Sequence, residues 1–174
     1  MNLFGRNKKG TGMSFEQVLN TYQQPLYWHI RRMVVSHEDA QDVLQETFIR
    51  IYNGLDKLND EGALKTWVYR IATNESLRLI EQRRRAALDT LDDNEVLVNS
   101  LMASEHVDYD KEMEVKFQRA LLTLSDQQRL VFNLRYYDEM PYEEISALTG
   151  SSVDSLKVTY HNAKTKVRSF IEKN

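Results

Sequence analysis

From Met13 to its C-terminus the chain contains three glycines (Gly54, Gly62, Gly150) and two prolines (Pro25, Pro141). These are the residues that most strongly interrupt a helix, so long stretches between them predict a mostly helical protein. The apolar pattern agrees. Phe15, Val18, Leu19 and Tyr22 fall on one face, after which Pro25, with no N–H to donate, is expected to start or kink a second segment. Ser36, followed by Asp39, reads as an N-cap. Beyond it Ala40, Val43, Leu44, Phe48, Ile51, Tyr52 and Leu55 recur at three- and four-residue steps and form one apolar stripe. Residues 54–62 read as a polar loop. Leu64, Trp67, Val68 and Ile71 begin the next helix, which runs into Arg83-Arg84-Arg85. Trp67 falls on the apolar stripe and is read as a core residue.

Residues 111–174 repeat the helical pattern. Met113, Phe117, Ala120, Leu121 and Leu124 form a stripe, and Ser125 with Gln128 reads as a capping box. Pro141 suits the first turn of a further helix and Gly150 its left-handed C-cap. Ser151 or Ser152 caps a last helix, whose core face is Val153, Leu156, Tyr160, Ala163, Val167 and Phe170. The fold class expected is all-α. Two small helical domains, residues 14–85 and 112–174, are joined by a flexible linker over residues 86–111, with a short turn near Val96–Met102. Residues 1–13 form an N-terminal tail.

The net charge of −3 conceals strong segregation. Residues 63–88 carry six basic and two acidic groups, residues 89–110 none and seven, and residues 151–174 five and two. Two cationic segments flanking an acidic one suit a polyanion held at two places, although solvated helix faces give the same arithmetic.

Tyr142–Gly150 followed by Ser151–Lys157 has helix-turn-helix spacing: Ile145 and Leu148 face inward, Gly150 makes the turn, and Val153 and Leu156 anchor the second helix. An ordinary helical hairpin shares this pattern. The outer face of the second helix presents Ser155, Lys157, Val158, His161, Asn162 and Lys164, and a helix of this diameter fits a DNA major groove. Asp154 in its first turn is read chiefly as a helix-dipole partner. Asp42, Gln45, Glu46 and Ile49 form a second, polar line on the 38–55 helix, with one isoleucine among carboxylates and amides. That composition suits a small protein-binding face.

Several classes are excluded or disfavoured. There is no cysteine, hence no disulfide, thiolate metal site or thiol nucleophile. His29, His37, His106 and His161 show no metal-ligand spacing, and no Gly-rich phosphate loop or nucleophile constellation is present. An enzyme is therefore not expected, nor a metal or cofactor. No apolar run approaches the ~18 residues of a membrane span, so no membrane insertion is expected.

The segment Asp39-Ala-Gln-Asp-Val-Leu-Gln-Glu-Thr-Phe-Ile-Arg-Ile-Tyr52 resembles the core-polymerase-binding helix of bacterial sigma factors. Lys65-Thr-Trp-Val-Tyr-Arg-Ile-Ala-Thr-Asn74, with Arg78 and Arg83–Arg85, is similar to the family's minus-ten segment. Leu124–Tyr137 plus the helix-turn-helix looks like its fourth region, and the two-block layout resembles the extracytoplasmic-function group.

This resemblance implies a transcription initiation factor that binds core RNA polymerase and directs it to promoters. Asp42, Gln45, Glu46 and Ile49 would dock on the beta-prime clamp helices. The loop Asp56–Ala63, including Asn59, would hold a flipped base together with Asn74, and the minus-ten set would comprise Lys65, Tyr69, Arg70, Arg78, Arg83, Arg84 and Arg85. Ser152, Ser155, Lys157, Val158, His161 and Lys164 would read the minus-thirty-five element. The beta flap, promoter DNA and an anti-sigma factor are the other partners implied, and the location is the bacterial cytoplasm. The recognition helix departs from the family in having Asp154-Ser-Leu-Lys157 where Gly-Thr-Val-Lys is frequent. The alternative is a free-standing helix-turn-helix regulator that acts without core polymerase, which leaves Asp42–Ile49 without a role. A helical adaptor that binds only protein leaves the basic segments without one.

Overall fold

In the computed structural model, residues 12–86 and 111–174 are described. They form seven α-helices and two short 3-10 turns, without strands. Helix α1 (Phe15–Val34) starts on Ser14, whose hydroxyl accepts from the Gln17 N–H while the Gln17 side chain accepts from the Ser14 N–H. This satisfies two of the donors that a helix start leaves orphaned. Helix α2 (His37–Gly54) starts on Ser36, which accepts from the Asp39 N–H. The turns Leu55–Lys57 and Glu61–Ala63 lead into α3 (Leu64–Ala86). Then follow α4 (Lys111–Leu122), α5 (Asp126–Tyr136), α6 (Tyr142–Thr149) and α7 (Val153–Lys173). Ser125 and Gln128 form the expected capping box on α5, and Ser152 caps α7. Gly150 ends α6 at φ 79°, a left-handed conformation that a Cβ would disfavour. The sequence reading of a linker with a turn near Val96–Met102 lies outside the described residues, as does most of the N-terminal tail.

Four local expectations need correction. Pro25 does not start a second segment: α1 runs through it. The proline sits on the exposed side, while Val18, Leu26, His29 and Ile30 are buried along the other. Burial of that edge outweighs one missing hydrogen bond, a penalty of ~3 kcal/mol in an isolated helix. Tyr52, assigned to the apolar stripe of α2, is 53% exposed. Met113 is likewise exposed at the start of α4. Pro141 occupies the N-cap position in an extended conformation rather than the first turn.

Helices α1, α2 and α3 pack mutually around Val18, Leu26, Ile30, Ile51, Val68 and Ala72. Helices α4, α5 and α7 enclose Ala120, Leu121, Leu124, Phe132, Ala163 and Val167. Between α6 and α7 lie Ile145, Leu148 and Leu156, all buried. The two groups of helices also touch, α1 against α5 and α3 against α6. Apolar packing is continuous across that seam, from Ile30 and Met33 to Leu130, Leu134, Met140 and Ile145.

Gly54 sits beneath the indole of Trp67: a Cβ at residue 54 would lie 2.8 Å from a ring carbon. Gly54→Ala is therefore expected to push Trp67 out of place and lower stability by about 1–3 kcal/mol, the usual cost of overpacking. Urea unfolding together with tryptophan emission checks this. An unshifted spectrum with wild-type stability would show that the ring has room to move.

Candidate functional site

Residues 42, 45, 46 and 49 are spaced three and four apart, so α2 brings them to one face. Asp42, Gln45 and Ile49 are exposed there and Glu46 is half-buried. Ile49 keeps 49% of its surface in solvent. It borders a groove of about 540 Å³ between α1 and α2, lined by Phe15, Leu19, Leu44, Phe48 and Tyr52 among others. Tyr52 lies three residues beyond Ile49 and seven beyond Gln45, hence on the same face, and rests edge-on against Phe15. Sequence reasoning missed it because position 52 falls on the boundary between the apolar and polar stripes. Glu46 is held by Arg50 at 3.1 Å, and Arg50 also reaches the buried carboxylate of Glu75 at 2.6 Å.

The second set follows the loop and α3. Asn59 and Asn74 are exposed. Lys65 and Arg70, also exposed, contact the other group of helices: Lys65 Nζ is 3.1 Å from Glu144 Oε2, and Arg70 donates to the carbonyl oxygens of Ala147 and Leu148. Tyr69 differs from expectation. It is buried, its ring against His29 and its hydroxyl donating to Asp138, so in this arrangement it offers no face to a base. Arg78 pairs with Glu75, Arg83 with Asp39, Arg84 with Glu81 and Asp126, and Arg85 with Glu81.

The third set lies on α7. Ser152, Ser155, Lys157, Val158, His161 and Lys164 are all exposed, and Val158 is 60% in solvent. Ser152 has a structural task besides, accepting from the Ser155 N–H as the helix cap. Lys164 lies over the ring of Tyr160, its ammonium 4.6 Å from the centroid. Leu156, Ala163 and Val167 hold the opposite side of α7 in the core, which fixes the direction the exposed set faces.

Residues 18–86 match the family model described as Sigma-70 region 2, and residues 114–167 match that described as Sigma-70, region 4. The chain belongs to the sigma-70 family. It is 28% identical over 169 residues to the ECF RNA polymerase sigma factor SigW of Bacillus subtilis, covering 92% of this chain and 90% of that one. It is 28% identical over 173 residues to the ECF RNA polymerase sigma-E factor of Escherichia coli, covering 95% and 90%. Among solved structures, the sigma factor RpoE in complex with the anti-sigma factor NepR, from Bartonella quintana, superposes with a TM-score of 0.72 at 20% identity, over 91% of this chain and 96% of that one. CnrH in complex with the cytosolic domain of CnrY gives 0.68 at 22%, over 92% and 88%. These structural likenesses concern the fold.

This sigma factor is thus a promoter-specificity factor for core RNA polymerase, of a family of initiation factors rather than enzymes. Among the described residues no helix is long and apolar enough to cross a membrane.

Where the two helix groups meet, the sigma factor buries a polar knot that carried no sequence signal. His29 is fully buried, with Nε2 2.9 Å from the Thr73 hydroxyl and Nδ1 3.8 Å from Asp138. Arg129 donates to the Met33 carbonyl at 3.0 Å, and Arg32 lies over the Tyr137 ring. Burial, with the Arg32 charge adding to it, lowers the His29 pKa from 6.5 to about 3. The folded chain keeps this ring neutral where the unfolded chain protonates it, so its contribution to stability is lost as pH falls from about 6.5 toward 3. Burial raises Asp138 from 3.8 to about 6, against the opposing Arg32 charge, Tyr69 hydrogen bond and Lys65 charge. There the folded chain holds the proton more tightly, so stability from Asp138 is gained as pH falls from about 6 to 3.8. The two effects oppose each other. Asp138→Asn removes only the second, and the variant should lose stability relative to wild type between pH 7 and pH 4, on the order of 2–3 kcal/mol at ~1.4 kcal/mol per pKa unit. Urea midpoints at the two pH values measure it; an equal gap at both would rule out the raised Asp138 pKa.

Proposed function

We propose that this sigma factor divides promoter-directed initiation among its three polar surfaces. The α2 face of Asp42, Gln45, Glu46 and Ile49 docks on the beta-prime clamp helices of core polymerase. Asn59 in the loop, Asn74, and the cations Lys65, Arg70, Arg78 and Arg83–Arg85 receive the melted minus-ten strand, with Tyr69 joining them only once the two helix groups part. The α7 set enters the major groove at the minus-thirty-five element, the C-terminal helices also meet the beta flap, and the acidic residues 89–110 thread the polymerase between the two domains. The protein works in the bacterial cytoplasm and is restrained by an anti-sigma factor.

The observation that carries this reading is the make-up of the α2 face. A half-exposed isoleucine beside an exposed tyrosine, rimmed by Asp42, Gln45 and Glu46, has the apolar centre and polar edge of a protein interface. A regulator working alone on DNA has no use for it. Melted strands, in turn, need cationic tracks and flat surfaces, and flipping a base out of the stack costs a few kcal/mol. The affinity for polymerase supplies that energy.

Two experiments test the assignment. Glu46→Lys and Ile49→Asp should each weaken binding to purified core polymerase at least about tenfold, or ~1.4 kcal/mol, with unchanged far-UV circular dichroism. Wild-type affinity in both variants would remove the docking face. In reconstituted transcription, Asn74→Ala should fail on intact duplex yet recover on a pre-melted template, whereas Lys157→Ala and His161→Ala should lose dependence on the upstream element. Normal duplex opening by the Asn74 variant contradicts its role.

A further inference from the structure

Helix α7 sorts its side chains by their angle from the core. Leu156, Ala163 and Val167 mark its buried edge. At ~100° per residue, Lys157 and Lys164 fall on one flank of that edge. There each ammonium lies near an aromatic ring, 6.0 Å from the Tyr142 centroid and 4.6 Å from that of Tyr160 respectively. Val158, two residues beyond Leu156, lies ~200° round the helix, directly opposite the core. It is 60% in solvent, the most exposed of the large apolar side chains among the described residues. Its neighbours on the outer face are Ser155, one turn back, and His161 and Asn162, one turn on, all exposed. Residues 151–164 contain no arginine.

A lone exposed apolar residue is ordinary on a protein surface. Here the position gives it a use, because a β-branched side chain at an exposed helix site costs propensity that alanine, lysine or glutamine would not. When the second helix of a helix-turn-helix enters a major groove, the side opposite its core meets base edges, and its flanks meet the sugar–phosphate walls. The flanking lysines suit phosphates. The central valine has no hydrogen-bonding group in its side chain, so it can recognise only an apolar feature, and the major groove displays one, the C5-methyl of thymine. Resting on the minus-thirty-five reading above, we infer that Val158 is a specificity-determining residue: it packs on the methyl of a thymine in the upstream element and so fixes an A·T pair there. A cytosine at that place would present an amino donor that the valine cannot pair. The commonest contact to guanine, a bidentate arginine, is missing from this face. Apolar contact and the short polar groups of Ser155, His161 and Asn162 are left to set the sequence.

The test uses the full-length chain reconstituted with core polymerase. Run-off transcription from templates randomised across the upstream element identifies the bases this holoenzyme prefers, and a thymine should recur at one position on one strand. Replacing that thymine by deoxyuridine removes the methyl and nothing else. With limiting holoenzyme it should lower wild-type transcript yield about fourfold, the equivalent of burying one methyl group. In Val158→Ala, which alanine's better helix propensity at an exposed site allows to fold, the thymine and deoxyuridine templates should perform equally. 5-Methylcytosine at the same position should be used better than cytosine by the wild type and no better by the variant. Equal use of thymine and deoxyuridine at every upstream position by the wild type, or the same preference in Val158→Ala as in the wild type, overturns the inference. Lys157→Ala/His161→Ala separates this from the underlying reading. If that variant loses its response to the upstream element while the wild type ignores the methyl, the valine contact fails and the minus-thirty-five assignment stands. If randomisation enriches no upstream base, the assignment fails and the inference with it.

Discussion

Helix α3 has an apolar edge and a donor edge, and the arrangement of the molecule follows from both being occupied. Leu64, Val68 and Ala72 are buried against α1 and α2, which makes α3 the closing member of the first bundle. Lys65 and Arg70, on its other side, meet the C-terminal helices. The exposed ion pairs across this seam are worth ~0–1 kcal/mol each. The hydrogen bond from Arg129 to the Met33 carbonyl is buried and charged, hence worth about 1.5–3 kcal/mol. The largest stabilising share comes from the apolar groups that meet there, Met33, Leu134 and Met140, each almost wholly removed from water. Closure is therefore anchored by apolar contact and given its register by polar pairs.

The knot of His29, Thr73, Tyr69 and Asp138 explains how that register is specified. A carboxylate loses much of its hydration where Asp138 sits, and burial raises its pKa accordingly. The Tyr69 hydroxyl compensates only when the two domains meet at one position. A slip of the C-terminal helices by one turn would take Asp138 away from the Tyr69 hydroxyl while His29 kept its bond to Thr73 of its own bundle, and a buried carboxylate without its donor is costly in a low-dielectric interior. Apolar surfaces alone tolerate many docked arrangements; this knot selects among them.

The sequence showed the helices more clearly than their assembly. Caps are local, so Ser14, Ser36, Ser125, Ser152 and Gly150 were either read directly or lie within a turn of the expected boundary. Pro25 misled because the rule against proline in helices is also local, whereas the buried edge of α1 that overrides it depends on α2 and α3. Tyr52 misled because a residue on the boundary between two stripes is assigned by its chemistry, and tyrosine suits either side. The exposed line of Asp42, Gln45 and Ile49 on α2 was legible because an isoleucine among carboxylates and amides stands off the apolar stripe. Tyr69 and Asp138 are 69 residues apart, and no periodicity connects such a pair. Their meeting is a property of the docked domains alone.

The acidic balance of the chain acquires a physical meaning in this setting. A pI near 5.8 argues weakly against a nucleic-acid-binding role when cations and DNA are considered alone. Here residues 63–88 carry six basic groups against two acidic ones while residues 111–150 carry seven acidic groups against five basic ones. Part of that acidity lies directly against the cations of α3, as the Glu144 and Asp126 pairs show. An acidic pI is therefore compatible with a strongly basic α3, because part of that basicity is neutralised inside the chain. Salt screens exposed charges over about 8–10 Å, so it weakens these internal pairs but leaves the apolar contacts of the seam in place. Ionic strength is thus a poor means of opening the seam, which Met33, Leu134 and Met140 anchor by apolar contact.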